Sequence, residues 1–260
     1  MIDFSLQDGI ARLTFNRPTH FNALDTAGIR ELAAIAAQLT HETSLRVVVL
    51  RGSGEQAFCA GGDVTAFHAE ADRVGELLQD MTDPLNIAVA RFMHLPVPVV
   101  AAVNGVAAGV GLSLVAMADL AIAVDSARFN TAYTAIGFTP DGGSSWLLPR
   151  LVGVRRAMEL YLTGRTLKAA EALEWGLVNQ VVAREAFDAA LESLLTRLAS
   201  GPRGSFAATK RLVLEAGHRQ LEAQLSLEAR TIIAQGRSAE GREGVRAFIE
   251  KRAPRFAQES

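Results

Sequence analysis

The stretch from Val97 to Val124, VPVVAAVNGVAAGVGLSLVAMADLAIAV, limits the fold more than any other part of the chain. It opens as a β-rich apolar run, Val97–Val103, and closes as another, Leu120–Val124. Between them a small-residue segment, Asn104–Gly111, leads into an apolar helix over Leu112–Ala118. The pattern reads as strand, glycine-rich turn, buried helix, strand. The turn admits two readings. Its glycines leave backbone N–H groups at a helix N-terminus open to something that approaches closely, or they let a strand and a helix pack tightly and do nothing more.

The rest of the chain sorts into elements around this stretch. Ile2–Leu6 and Ile10–Asn16 read as strands joined at Asp8-Gly9, a strong hairpin signal. Asp25 or Thr26 caps a helix running to about Leu39, with Ile29, Leu32, Ile35 and Leu39 on one face. Leu45–Arg51 is a buried strand that ends at Gly52-Ser53-Gly54. Val64–His94 is helical with a break expected near Asp83-Pro84, and His94 reads as an exposed or capping histidine. A further helix is expected over Gly142–Leu148 with Asp141 as its cap, followed by others up to Arg184–Ala199. Ser200-Gly201-Pro202 is the plausible hinge. It divides a core, 1–200, from a segment, 201–260, of three amphipathic helices: Phe206–Glu215, Leu221–Gln235 and Ala239–Ile249. Their apolar stripes require a partner surface.

Charge and cysteine usage then remove whole classes of function. The formal net charge is −2 with no long basic run, so nothing calls for nucleic acid or an anionic membrane. No uncharged apolar run reaches the roughly 18 residues of a membrane span, and MIDFSLQDGIARL lacks the plan of a signal peptide. One cysteine, Cys59, allows no internal disulfide, and the five histidines form no pair at metal-ligand spacing. The expectation is a cytoplasmic, metal-free protein. Gly109 and Gly111 have no third glycine to complete a dinucleotide fingerprint. Neither a phosphate-cradling GxxxxGK[ST] nor a GxSxG nucleophile elbow occurs.

Four motifs carry a resemblance: Asn16-Arg17-Pro18 with Asn22-Ala23-Leu24, the run Ala57-Phe58-Cys59-Ala60-Gly61-Gly62-Asp63-Val64, the central AAVNGVAAGVG, and Leu162-Thr163-Gly164 with Gly176-Leu177-Val178. On these the chain resembles the crotonase (enoyl-CoA hydratase/isomerase) superfamily over about residues 1–255. The resemblance implies an α/β fold, a spiral of ββα units with a C-terminal helical trimerisation segment. It also implies an acyl-CoA substrate, no separate cofactor because coenzyme A is part of that substrate, and assembly as a homotrimer or dimer of trimers. The amides of Ala60 and Val110 become the oxyanion hole, each such donor being worth roughly 2.7–4 kcal/mol. Ala57, Cys59, Gly61, Asp63 and Gly109 fall beside the substrate, Asp63 also reading as a helix cap. Arg17 and His20 are candidates to meet CoA phosphates. Lys251, in the tail, either reaches CoA or complements a helix dipole. Phe67, Leu77, Leu78, Met81 and Leu85 are candidate walls of the acyl pocket.

One departure matters for the chemistry. Where related hydratases carry two glutamates, this chain has Ser113 and Tyr133, and neither can do carboxylate work. An acid stands instead at Asp141, in Thr139-Pro140-Asp141-Gly142-Gly143, the catalytic position in related phenylacetyl-CoA-pathway isomerases and 4-chlorobenzoyl-CoA dehalogenases. The expectation is an isomerase: Asp141 moves the proton, the amides of Ala60 and Val110 hold the enolate, and Ser113 and Tyr133 lie beside the substrate. Hydration, hydrolytic dehalogenation and acyl-CoA binding without turnover are the alternatives. Dehalogenation needs a histidine to activate water, and none is clearly placed.

Overall fold

Asp8 and Gly9, both at positive φ, turn β1 (Ile2–Gln7) back onto β2 (Ile10–Phe15) as an antiparallel hairpin. The computed structural model describes residues 1–256. Helix α1 (Thr26–Thr40) follows. Its N-cap is Asp25, whose Oδ1 accepts the Gly28 amide at 2.9 Å, and it buries Ile29, Leu32, Ile35 and Leu39.

From there the chain repeats a cycle: one strand enters a large sheet, a short strand enters a small sheet, and a helix returns. β3 (Val47–Gly52) is followed by β4 (Ala57–Cys59), α2 (Val64–Ala69) and α3 (Val74–His94). β5 (Val99–Val103) is followed by β6 (Val106–Ala108) and α4 (Val110–Met117). β7 (Leu120–Val124) is followed by β8 (Arg128–Asn130), α5 (Ser144–Val152) and α6 (Val154–Thr163). Then β9 (Leu167–Lys168), α7 (Ala169–Glu174) and β10 (Gln180–Val182) close the spiral. The large sheet has the order β1-β2-β3-β5-β7-β10 and the small one β4-β6-β8-β9. Parallel strands covered on both faces must be apolar throughout, and all of Val99–Val103 is buried. This is the ββα spiral expected. Helices α8 (Arg184–Ala199), α9 (Arg203–Ala216), α10 (Leu221–Arg237) and α11 (Ala239–Ile249) complete the described chain.

Three expectations need correction. The segments read as small-residue turns contain three-residue strands, β4 and β6, so the glycine-rich stretch spans a second sheet. No break occurs at Pro84, which lies inside α3. An internal proline disfavours a helix by about 3 kcal/mol. Burial of Met81, Leu85, Val89 and Phe92 on one face of α3 outweighs that at roughly 1.5–3 kcal/mol each. Ser200-Gly201-Pro202 is no free hinge. Arg46 donates to Ala199 O at 3.0 Å and to Gly201 O at 2.6 Å, and Arg203 donates to Leu45 O at 3.0 Å. Beyond it, Lys210 of α9 reaches Phe92 O, Val97 O and Asp119 Oδ2, which ties the C-terminal segment to the core. α10 and α11 still leave Ile232, Ile233, Phe248 and Ile249 exposed. Among the described residues no helix is long and apolar enough to cross a membrane.

Candidate active site

The two readings of the glycine-rich turn apply to different glycines. A Cβ on Gly111 would lie 2.0 Å from Cys59 O, so this glycine lets α4 press onto β4. Gly109, by contrast, has φ 51° and ψ −124°, a conformation open essentially to glycine alone. It swings the chain from β6 into α4 and leaves the Val110 amide as the first N–H of that helix. Such a group has no partner within the helix, and it donates to nothing among the described residues.

Facing it is the turn after β4. Leu24 and Gly62 form a parallel bridge: Leu24 N–H donates to Gly61 O at 2.8 Å and Asp63 N–H to Leu24 O at 3.0 Å. In such a bridge the middle residue turns its own N–H away from the partner strand. The Gly62 amide therefore points away from Leu24 and meets no acceptor among the described residues. Ala60 does not fit the donor role expected of it. Its N–H is committed to Phe21 O at 3.0 Å. The donor that sequence reasoning missed is Gly62, two residues on, and only hydrogen-bond geometry separates the two.

Gly62 and Val110 open onto a cavity of about 500 Å³. Ile29, Phe67, Leu78, Met81, Ile136 and Phe138 give it an apolar wall, in which the Phe67 and Phe138 rings meet edge to face at 5.8 Å. Of the expected wall residues, Phe67, Leu78 and Met81 line the cavity, whereas Leu77 and Leu85 pack into the core. Asp141 is the one charged side chain among the described residues lining it.

Asp141 does not cap α5. That helix starts at Ser144 behind Gly143, and only the Asp141 carbonyl meets it, accepting the Ser144 amide at 3.0 Å. The carboxyl turns to Tyr133, whose hydroxyl donates to Oδ1 at 2.8 Å. Ser113 Oγ lies 3.0 Å from the same tyrosine hydroxyl. Ser113 and Tyr133 are thus brought together with Asp141 into one buried chain of hydroxyls. Burial pushes the Asp141 carboxyl above its ordinary value, and the Tyr133 bond offsets part of that push. Burial, together with the neighbouring carboxylate, drives the Tyr133 phenol further up.

Other expected contacts are structural. Arg17 turns inward: its guanidinium donates to Ala23 O and Asp63 Oδ2, each at 3.0 Å, and lies 3.6 Å from Asp25. It is spent on the turn and does not reach out for phosphates. Asp63 is occupied by Arg17 and by capping α2 through the Thr65 amide at 3.1 Å. Burial opposes ionisation of Asp63, but these bonds together hold it below the usual carboxylate range. Ala57 is buried, its carbonyl accepting from Asn22 and Asn104. Cys59 is fully buried, and burial pushes its thiol up to about 12. Neither touches the cavity. His20 is exposed with Nδ1 3.0 Å from Thr19 Oγ1, and Lys251 is exposed beyond the end of α11. Neither lines the cavity. Gly61 and Gly109 do.

The enoyl-CoA hydratase/isomerase family model matches residues 5–259. The chain belongs to the enoyl-CoA hydratase/isomerase family. Two relatives support this along the full length. One, named probable enoyl-CoA hydratase, from Rhodobacter capsulatus, is 41% identical over 98% of this chain and 97% of its own. The 1,2-epoxyphenylacetyl-CoA isomerase of Escherichia coli is 38% identical over 98% and 99%. A crystal structure of an enoyl-CoA hydratase from Bacillus anthracis superposes with TM-score 0.92 at 32% identity, covering 99% of both chains. The protein is an enzyme of this hydratase/isomerase family, with its family fold intact.

Proposed function

We propose that this enzyme moves a carbon–carbon double bond within an acyl-CoA thioester. Asp141 takes a proton from C2 of a 3-enoyl thioester. The electron pair of that C–H bond shifts into a dienolate, whose oxygen is held by the Gly62 and Val110 amides. Asp141 then returns the proton to C4, leaving the double bond conjugated at C2–C3. Atoms and charge balance within substrate and enzyme, and no second substrate enters.

The observation that carries this reading is that Asp141 is, among the described residues, the single charged side chain in a largely apolar cavity. Adding water across an alkene is served by two flanking acids, one to deprotonate water and one to protonate carbon. Among the described residues Asp141 has no acidic companion there; Tyr133 is bonded to its carboxyl and Ser113 to the Tyr133 hydroxyl. No histidine among the described residues lines the cavity to activate water for dehalogenation. We further propose a cytoplasmic enzyme that assembles as a trimer or pair of trimers through residues 201–260, whose exposed apolar faces favour a partner.

The test compares 3-enoyl-CoA and 2-enoyl-CoA as substrates, with wild type and Asp141→Asn. Wild type should isomerise the first faster than it hydrates the second. Asp141→Asn keeps the size and an acceptor for Tyr133 but no base, so isomerisation should fall roughly 10²–10⁴-fold. Wild-type turnover by Asp141→Asn would refute the assignment, and faster hydration than isomerisation by wild type would favour the hydratase reading.

A further inference from the structure

Two hydroxyls sit where carboxylates do the work in related hydratases, and they are not idle. Tyr133 donates to one oxygen of Asp141, Oδ1, at 2.8 Å. Ser113 Oγ is 3.0 Å from the Tyr133 hydroxyl, with Gly109 O at 3.3 Å and Asp141 O at 3.2 Å as its other neighbours. An ionised carboxylate only accepts. Tyr133 therefore gives its single proton to Oδ1, and its own oxygen is free to accept the one Ser113 hydroxyl proton, for which Gly109 O and Asp141 O are the competing acceptors. Among the described residues no side chain donates to the other carboxylate oxygen, Oδ2, and Asp141 lines the cavity.

We propose that Tyr133, steadied by Ser113, is a positioning residue that occupies Oδ1 so that Oδ2 alone takes and returns the substrate proton. The proposal rests on Asp141 being the acid/base of the isomerisation. Its physical logic concerns a shuttle with one carboxyl. A proton collected by an oxygen facing away from substrate would be stranded, and a carboxyl free to rotate would present either oxygen. A donor fixed on Oδ1 prevents both. The arrangement also favours the charged form against the burial that disfavours it.

The neighbours allow this effect to be read cleanly. Leu85 of α3 packs apolar surface beneath Gly142, and from α4 only Ser113 presents a polar group. The remaining polar side chains lining the cavity are Thr82 and Thr139. No Lys, Arg, His or second acid is there among the described residues. A change in the titration of Asp141 on altering Tyr133 thus has no other charged group to blame.

The experiment is the pH profile of kcat/KM for a 3-enoyl-CoA with wild type, Tyr133→Phe, Ser113→Ala and Asp141→Asn. In wild type the acidic limb reports ionisation of Asp141 in the free enzyme. Tyr133→Phe keeps the ring and deletes the donor. Its acidic limb should move up by about one to two pH units, the equivalent of one lost hydrogen bond to a charged group. Its rate should recover as the pH is raised. Ser113→Ala, which leaves the tyrosine donor but loosens it, should move the limb the same way by less. If Tyr133→Phe does not fold, the upward shift in Ser113→Ala carries the test. An unmoved limb in a folded Tyr133→Phe, with rate lowered at all pH values or not at all, overturns the positioning role. If Asp141→Asn is inactive while that limb stays put, only the positioning role falls. If Asp141→Asn turns over normally, the isomerase reading falls and takes the positioning role with it.

Discussion

Replacing Val110 by proline removes the backbone N–H of the proposed oxyanion hole and sets the ring Cδ in its place, which makes it a direct probe of that site. Val110 is the first residue of α4, and the first bond inside that helix runs from the Ser113 amide to Gly109 O. The Val110 N–H thus holds nothing within the helix. Proline suits a first helical position, where its fixed φ is already helical and its missing donor is not needed. A following proline penalises a residue in the α region, and Gly109, at ψ −124°, is far from it. The side chain stays apolar and of similar size, so the loss of stability should stay under about 1.5 kcal/mol. Catalysis should suffer far more. One lost donor of this kind lowers kcat by roughly 10²–10³-fold, about 2.7–4 kcal/mol. The loss falls on kcat because the donor strengthens as charge develops on the thioester oxygen. Val110→Gly keeps the amide and controls for the missing side chain. Initial rates of conversion of a 3-enoyl-CoA to its conjugated isomer, followed by ultraviolet absorbance beside a thermal melt of each variant, measure both effects. A folded Val110→Pro enzyme with wild-type kcat would refute the reasoning.

Three further outcomes follow from the same geometry. Because Asp141 is held above its ordinary pKa, its ionised form weighs against the fold once the pH rises past the unfolded value. Asp141→Asn should therefore melt higher than wild type at neutral pH and lose that advantage in strong acid; an equal difference at both would contradict this. Cys59, buried with its thiol pushed up to about 12, should resist thiol reagents in the native protein and react on denaturation. Rapid labelling of the folded enzyme would count against its burial. Ile232 on α10 is 72% exposed and Phe248 on α11 83%, so the wild type should sediment as a trimer or hexamer and Ile232→Glu should shift it toward monomer. A wild type that stays monomeric at micromolar concentration would remove the assembly proposal.

The sequence by itself determined the large sheet, the helices that cover it and the existence of a single candidate acid. Short valine-rich apolar runs such as Val99–Val103 favour strands buried on both faces, and Asp25 and Asp63 announce their helices because capping is a local interaction. The absence of carboxylates at Ser113 and Tyr133, with an acid at Asp141, was equally legible, since residue identity needs no coordinates. What the tertiary structure decided were matters of direction and partnership. The strands of the small sheet are three residues or fewer and gain their definition from neighbours distant in sequence, so β4 and β6 looked like turns. Pro84 remains in a helix because long-range packing outweighs a local preference. Whether Ala60 or Gly62 offers a free amide depends on where Phe21 and Leu24 lie, two residues more than thirty positions away in the chain. Arg17 reads as an exposed cation until Asp63 and Asp25 converge on it. Asp141 read as a base that could also cap the helix, and only the fold turned its carboxyl from the helix toward Tyr133 and the cavity. Residue types fix which chemistry is possible locally, but the aim of a backbone N–H or a carboxylate oxygen is set by contacts between segments far apart in sequence.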